Sequence, residues 1–134
     1  MTEAADVRLR KGVEMLFDRV CPGGGWNAGN GVVNGTPLTP HADVTSLALL
    51  ALIPQRDHPF VKRSLDWLQH QIEPTHSLYS LPWMAVALAA HREAISSILE
   101  KLIGLYSERG LNRDCQTLAL TRLALQMADG ANPF

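Results

Sequence analysis

Residues 21–31, CPGGGWNAGNG, place five glycines and two asparagines around one tryptophan. The segments on both sides of this stretch are rich in Leu and Ala and have helical periodicity. Glycine adopts positive φ values at little steric cost and lets two backbone segments approach closely. We therefore predict a chain reversal between two helices, with Trp26 packed between neighbouring hairpins and its indole N–H hydrogen-bonded.

The composition is that of an ordinary globular domain, which we place at residues 1–134. Net charge is −1, so there is no basic footprint for nucleic acid. Two cysteines, Cys21 and Cys115, are too few for a disulfide framework, and residues 1–12 lack the apolar core of a signal peptide. The longest apolar runs, 44–53 and 81–90, are about half of a membrane span. These features favour a cytoplasmic location without a membrane span.

Apolar periodicity predicts six helices and no strand. The first carries a stripe at Val13, Leu16, Phe17 and Val20. Residues 21–38 are predicted to lack regular structure. The later helices are predicted to begin at Thr39-Pro40, Asp57–Pro59, Ser77, after a break at His91-Arg92, and near Asn112 or Asp114, with Gly110 ending the fifth.

The helices alternate in character along the chain. The first, third and fifth are amphipathic, whereas the second, fourth and sixth are apolar nearly all round, which indicates burial on more than one side. Ala51-Leu52, Ala87-Leu88 and Ala124-Leu125 align the three apolar helices at spacings of 36 and 37 residues. We therefore predict an all-α fold of three stacked helical hairpins.

The segment LRKGVEMLFDRVCPGGGWNAGN (9–30) resembles the repeat of the squalene-cyclase and protein-prenyltransferase superfamily. There an outer helix ending in Gln leads through a Gly-Gly-Trp turn to an inner helix. The resemblance continues through TPHADVTSLALLALIP, HPFVKRSLDWLQHQ and SLYSLPWMAVALAA. It implies half of an α/α toroid. Val20 stands where the family has Gln, and the second and third hairpins lack the Gly-Gly-Trp turn.

The resemblance suggests two chemistries. Terpenoid cyclases protonate their substrates with an Asp in a D-x-D-D motif, and Asp43 is the matching residue, although it has no acidic neighbour. Prenyltransferases hold zinc with Asp, Cys and His, but Asp114-Cys115 is the only such neighbour pair and the histidines are scattered. We expect Asp43 to act on the helix dipole, Cys115 to be a small core residue, Cys21 to be partly buried, and no metal or cofactor to bind.

Several polar and aromatic residues are candidates for ligand contacts. Asn27, Asn30 and Asn34 lie in the long loop, and Trp26 lies beside them. Trp67 and Trp83 are predicted to be core residues, or alternatively an aromatic wall. Arg122 interrupts an apolar helix, so it lines a polar cavity or an interface, or its stem reaches solvent.

Three hairpins cannot close a ring, so their apolar inner helices need a cover. We expect a non-catalytic module that binds a protein or an apolar small molecule. The alternatives are an enzyme subunit that completes its site by association, and a pure scaffold. An open apolar cavity would favour a small ligand, and a packed centre a scaffold. Self-association through inner or end-facing helices is predicted, as a two-fold dimer with Arg122 and residues 128–134 at its rim.

Overall fold

The computed structural model describes residues 3–110 and 114–130, and over these ranges the protein is an all-α fold with one small β-hairpin. The helices are α1 (Glu3–Asp18), α2 (Ala42–Ala51), α3 (Pro59–His70), α4 (Ser80–Ala90), α5 (Ser96–Arg109) and α6 (Cys115–Ala128). A 3₁₀ turn, Ile53–Gln55, follows α2, and two short strands, β1 (Val32–Val33) and β2 (Thr36–Pro37), lie between α1 and α2.

The six helices form three sequential pairs in two layers, as the alternating pattern predicts. The apolar helices make the inner layer, in which α4 lies between α2 and α6. In the outer layer, α3 packs on α2 and α5 packs on α4. The stripe of α1, which includes Leu16 and Phe17, packs against the same core. Each pair therefore stacks on the pair before it.

Helix α4 is the centre of the molecule. Residues 84–88, MAVAL, are fully buried. Its small side chains, Ala85 and Ala87, allow neighbouring helices to approach closely. Burial on more than one side was predicted for all three inner helices, and it holds only for α4. Because α2 and α6 are the end helices of the inner layer, each leaves one apolar face exposed, with Leu47 on α2 and Leu125 on α6.

The break between α4 and α5 falls at His91-Arg92, as predicted. Arg92 has a φ of 68°, which ends the helical path. His91 is buried, and its Nε2 donates to the carbonyl oxygen of Leu49 at 2.8 Å. Its Nδ1 has no hydrogen-bond partner among the described residues. The imidazole therefore links the end of α4 to the last turn of α2.

The predicted start of the second helix at Thr39-Pro40 is wrong. Helix α2 begins at Ala42 after an extended His41, whose side chain makes no capping hydrogen bond. The His41 amide instead donates to the carbonyl oxygen of Trp26 at 2.8 Å, and the Leu38 amide donates to that of Gly31 at 2.9 Å. These bonds hold residues 38–41 extended as the closing side of the loop.

Two other helix starts follow their sequence signals. Before α3, the His58 side chain accepts from the Phe60 amide at 3.3 Å, and Pro59 is the first helical residue. Before α6, the Asp114 carboxylate accepts from the amides of Gln116 and Thr117. The alternative start at Asn112 lies outside the described residues.

Residues 21–38 are not wholly irregular, contrary to the prediction. Val32 pairs with Pro37 and Val33 pairs with Thr36 in an antiparallel hairpin. Asn34 and Gly35 form its turn with φ values of 50° and 77°. Two successive positive φ values are the signature of a type I′ turn, for which Asn-Gly is a preferred sequence.

Candidate functional site

The glycine-rich segment joins α1 and α2 through Trp26. This side chain is 2% exposed, and its Nε1 donates to the carbonyl oxygen of Leu16 in α1 at 2.7 Å. The backbone N–H of Trp26 donates to Thr45 Oγ1 in α2 at 2.9 Å, and that hydroxyl donates to the Trp26 carbonyl at 3.2 Å. The predicted hydrogen bond of the Trp26 indole N–H is confirmed, but these partners belong to α1 and α2 of the first hairpin, whereas packing between neighbouring hairpins was predicted.

The same turn binds the first hairpin to the second. Gly25 donates its N–H to Ser64 Oγ in α3 at 2.8 Å. Its φ is 77°, and a Cβ atom there would lie 2.8 Å from Pro40 Cβ and 2.9 Å from Thr45 Oγ1. At Gly24, φ is 99° and a Cβ would lie 2.9 Å from the Arg63 carbonyl oxygen. These contacts require glycine at both positions.

The indole needs no Gln because a main-chain group replaces it. Helix α1 ends at Asp18, so the Leu16 carbonyl belongs to its last turn, where it accepts from the Arg19 amide at 3.2 Å. Trp26 Nε1 is a second donor to the same oxygen. Val20, at the family's Gln position, is a partly buried side chain packed against the core.

The loop asparagines make hydrogen bonds within the loop. Asn27 Oδ1 accepts from the Gly29 amide at 2.8 Å, while Asn27 Nδ2 donates to the Asn30 carbonyl at 3.1 Å. Asn34 forms the hairpin turn. Asn27 Nδ2 also lies 3.9 Å from Cys21 Sγ. The Asn27 side chain therefore stabilises the loop's own conformation.

Both cysteines differ from their predicted environments. Cys21 is 1% exposed, more buried than predicted, and burial raises the pKa of its thiol despite the hydrogen bond from Asn27. Cys115, predicted as a core residue, is exposed. It is the first residue of α6, and the buried stripe of that helix starts only at Thr117.

The acidic candidates lie apart from one another. Asp43 lies in the first turn of α2 and is partly exposed. Asp114 caps α6, and hydrogen bonds from Thr117 lower the pKa of its carboxyl group. Over residues 3–110 and 114–130, no group of three or more His, Cys, Asp or Glu side chains is placed to hold a metal ion.

The tryptophans outside the turn differ in their contacts. Trp67 is partly buried against the core, as predicted, and lies beside Gly25. Trp83 is partly exposed on α4, and its buried Nε1 has no hydrogen-bond partner among the described residues.

An apolar groove lies between α5 and α6, the last two helices of the described residues. Its volume is about 460 Å³. Ile103 is 61% exposed, Leu125 is 44% exposed and Leu118 is 36% exposed. Arg122 is exposed on its wall. The other lining residues are Leu99, Leu102, Tyr106, Ser107 and Thr121. We call this surface the C-terminal groove.

A second, smaller groove lies at the opposite end of the array, between α1, α2 and the glycine-rich turn. Its volume is about 330 Å³. Met15 and Leu47, each 47% exposed, form its apolar walls, and Arg19 also lines it. Trp26 and Asn27 contribute to its floor and side. We call this surface the N-terminal groove.

The predicted ligand contacts do not converge on one site. Trp26 and Asn27 lie at the N-terminal groove, whereas Arg122 lies at the C-terminal groove. Asn27 and Asn30 border a shallow depression beside the β-hairpin, and Trp83 lies on α4. The sequence-based site prediction did not include Ile103, Leu118 or Leu125. A signal existed for Ile103, because it is an apolar residue beside the buried stripe of α5.

None of the described helices is both long enough and apolar enough to cross a lipid bilayer. Comparison of the chain with protein-family models, curated proteins and solved structures finds no match. The relationship to the squalene-cyclase and prenyltransferase repeat therefore stays a prediction based on the residues quoted above.

Proposed function

We propose that this protein is a non-catalytic interaction module that docks an amphipathic helical segment of a protein partner in its C-terminal groove. A groove between two helices, with exposed apolar side chains along its length, is the standard receptor for the apolar face of a third helix. The observation that carries the proposal is the apolar outer wall of this groove at the terminal hairpin.

That wall differs from its counterpart one hairpin earlier. The buried residues Ile98, Leu102 and Leu105 of α5 align with Val61, Leu65 and Leu68 of α3 at a constant spacing of 37 residues. In this register the groove residues Leu99, Ile103 and Tyr106 correspond to Lys62, Asp66 and Gln69.

This substitution of apolar for polar residues is unusual on an exposed face. In stacked helical repeats, an outer face that no neighbour covers is normally polar. Here apolar residues replace polar ones on the exposed face of the α5–α6 hairpin, and leaving them wet costs about 25 cal/mol for each Å² of apolar surface. A docked helix recovers this free energy, which supports an interaction role over a pure scaffold.

The packing of α4 bears on the alternative of a small apolar ligand held at the centre. The side chains of residues 84–88 are fully buried, so this central part of α4 offers no open wall to such a ligand. The exposed apolar surface lies instead at the two ends of the array.

A displayed library of amphipathic helical peptides tests the proposal. The protein is immobilised at low density, so that copies do not meet, and bound peptides are measured by surface plasmon resonance. We expect selected peptides to bind the wild type and to lose at least about tenfold in affinity on Ile103→Lys, which corresponds to about 1.4 kcal/mol.

Leu9→Lys is the matched control, because Leu9 is 58% exposed on α1 and lies outside both grooves. Peptide binding that survives Ile103→Lys, or that is lost equally in Leu9→Lys, would contradict the proposal. If a polyene or another apolar small molecule binds the wild type and does not bind Ile103→Lys, that molecule would replace the helix as the occupant of the groove.

A further inference from the structure

The exposed surfaces of α2 and α6 correspond to the two sides of a helix–helix contact that occurs twice within the chain. Within the molecule, α4 packs on α2, and α6 packs on α4, by the same side-by-side stacking of inner helices. Each inner helix thus has a leading face toward the preceding hairpin and a trailing face toward the next one. At the ends of the array, one leading face and one trailing face are left uncovered.

The trailing face is exposed on α6 and buried on the earlier helices. Leu118 is 36% exposed and Leu125 is 44% exposed, and Arg122 between them is also exposed. In the register of the Ala-Leu pairs, the α2 counterparts are Thr45, Leu49 and Leu52, and the α4 counterparts are Leu81, Ala85 and Leu88, all of them fully buried.

The leading face shows the reverse pattern. Leu47 on α2 is 47% exposed, and Ala51 is exposed beside it. Their counterparts in α6 are Leu120, which is 9% exposed, and Ala124, which is fully buried against α4. The surface that α2 leaves open is therefore the surface that α6 uses to join the stack.

We infer that a second copy of this chain covers both surfaces, with the leading face of α2 in one copy packed on the trailing face of α6 in the other. This inference rests on the proposed interaction role and names the partner. In a closed pair related by a two-fold axis, two such contacts cover all four exposed faces. Arg122 was predicted at the rim, but it lies between Leu118 and Leu125 in the trailing face, from which its long stem lets the guanidinium reach solvent. Residues 131–134 of the predicted rim lie outside the described residues.

Head-to-tail pairing predicts how variants with one substituted face associate. Leu47→Arg blocks the leading face, and Leu125→Arg blocks the trailing face. In a head-to-tail pair every contact uses one face of each kind, so each variant by itself lacks an intact contact. A mixture of the two still has one intact contact, between the trailing face of Leu47→Arg and the leading face of Leu125→Arg.

Sedimentation velocity and native mass spectrometry at micromolar concentration test this prediction, with one of the two variants isotopically labelled. We expect the wild type and the Leu9→Arg control to have twice the 14.7 kDa mass of one chain. Each blocked variant by itself is expected to be a monomer, and their equimolar mixture is expected to regain a labelled–unlabelled pair. Both substituted side chains are about half exposed, and circular dichroism checks that both variants retain the helical fold.

A pair that survives one blocked variant and is lost in the other would show like-with-like contact of one end. That result would overturn head-to-tail pairing and leave the proposed docking function standing. A monomeric wild type would overturn the second copy as the partner, while the peptide experiment would decide separately whether the C-terminal groove binds a helix.

Discussion

Helices α4 and α6 are built from similar residues but have different surroundings. In α4, SLPWMAVALAA, five consecutive residues are fully buried. In α6, CQTLALTRLALQMA, burial is confined to one stripe: Thr117, Leu120, Ala124 and Met127. The cause is their place in the stack, because α4 has an inner helix on both sides and α6 has one on a single side. Apolar composition alone therefore does not determine how many faces of a helix are buried.

The sharpest test of this comparison introduces a charge at aligned positions. Ala85→Arg places a long cation in the fully buried centre of α4, so we expect a loss of about 4 kcal/mol or more in the free energy of unfolding. The aligned residue of α6 is Arg122, which is exposed, and Arg122→Ala should change that free energy by less than about 0.5 kcal/mol. Urea denaturation followed by circular dichroism measures both. Similar losses at the two positions would show that α6 is buried on both sides.

The next largest effect concerns the glycine-rich turn, which ties α1 to α2 and α3. Trp26→Ala should lower the free energy of unfolding by about 3–5 kcal/mol, because the ring is buried. Trp26→Phe keeps an aromatic ring and loses the hydrogen bond to Leu16, so it should cost about 1 kcal/mol beyond its smaller volume. Denaturant melts compare the two. A loss below about 0.5 kcal/mol for Trp26→Ala would remove Trp26 as the anchor.

The third test compares Leu→Ala substitutions at aligned positions of α4 and α6. Leu88→Ala removes a fully buried side chain of α4 and should cost about 2–5 kcal/mol. Leu125→Ala shortens the aligned, 44% exposed side chain of α6 and should cost less than about 1 kcal/mol when the chain is monomeric. Chemical denaturation at high dilution measures the difference. Equal costs would be inconsistent with an uncovered trailing face.

The smallest predicted effect depends on pH and concerns the N-terminal caps of α6 and α4. The Asp114 carboxylate caps α6, and Thr117 hydrogen bonds hold its pKa below the ordinary value of about 3.9. A lowered pKa means that the ionised form stabilises the folded state above the ordinary value. This stabilisation is lost as pH falls through the folded-state pKa. Helix α4 has no such side-chain cap at Tyr79.

We therefore expect the unfolding midpoint of the wild type to fall more steeply than that of Asp114→Asn as pH drops from about 5 to about 2. Urea melts across this pH series measure the difference, with Asp43→Asn in the first turn of α2 as a control for general charge loss. Parallel midpoints in the wild type and Asp114→Asn would show that the cap does not depend on ionisation.

Three local signals in the sequence were informative to different degrees. Pro59 correctly indicated the start of α3, because proline is pre-organised for the first helical position. Thr39-Pro40 has the same form but starts no helix, since the turn's hydrogen bond to His41 holds this segment extended. Asn34-Gly35 was a usable hairpin signal that the helical periodicity on both sides obscured. A dipeptide signal is decisive only where long-range hydrogen bonds do not compete with it.

Periodicity and glycine conformations act within a few residues, so they were enough to predict the all-α class, the three hairpins, the break at His91-Arg92 and a packed Trp26. The acceptor that binds the Trp26 indole and the set of apolar residues that stay exposed depend on tertiary packing and could not be predicted in this way. Leu47, Leu88 and Leu125 are alike in sequence, yet one is buried and two are exposed. Their difference in burial comes from the number of neighbouring helices. That number depends on the position of the helix in the stack and cannot be read from the residue type.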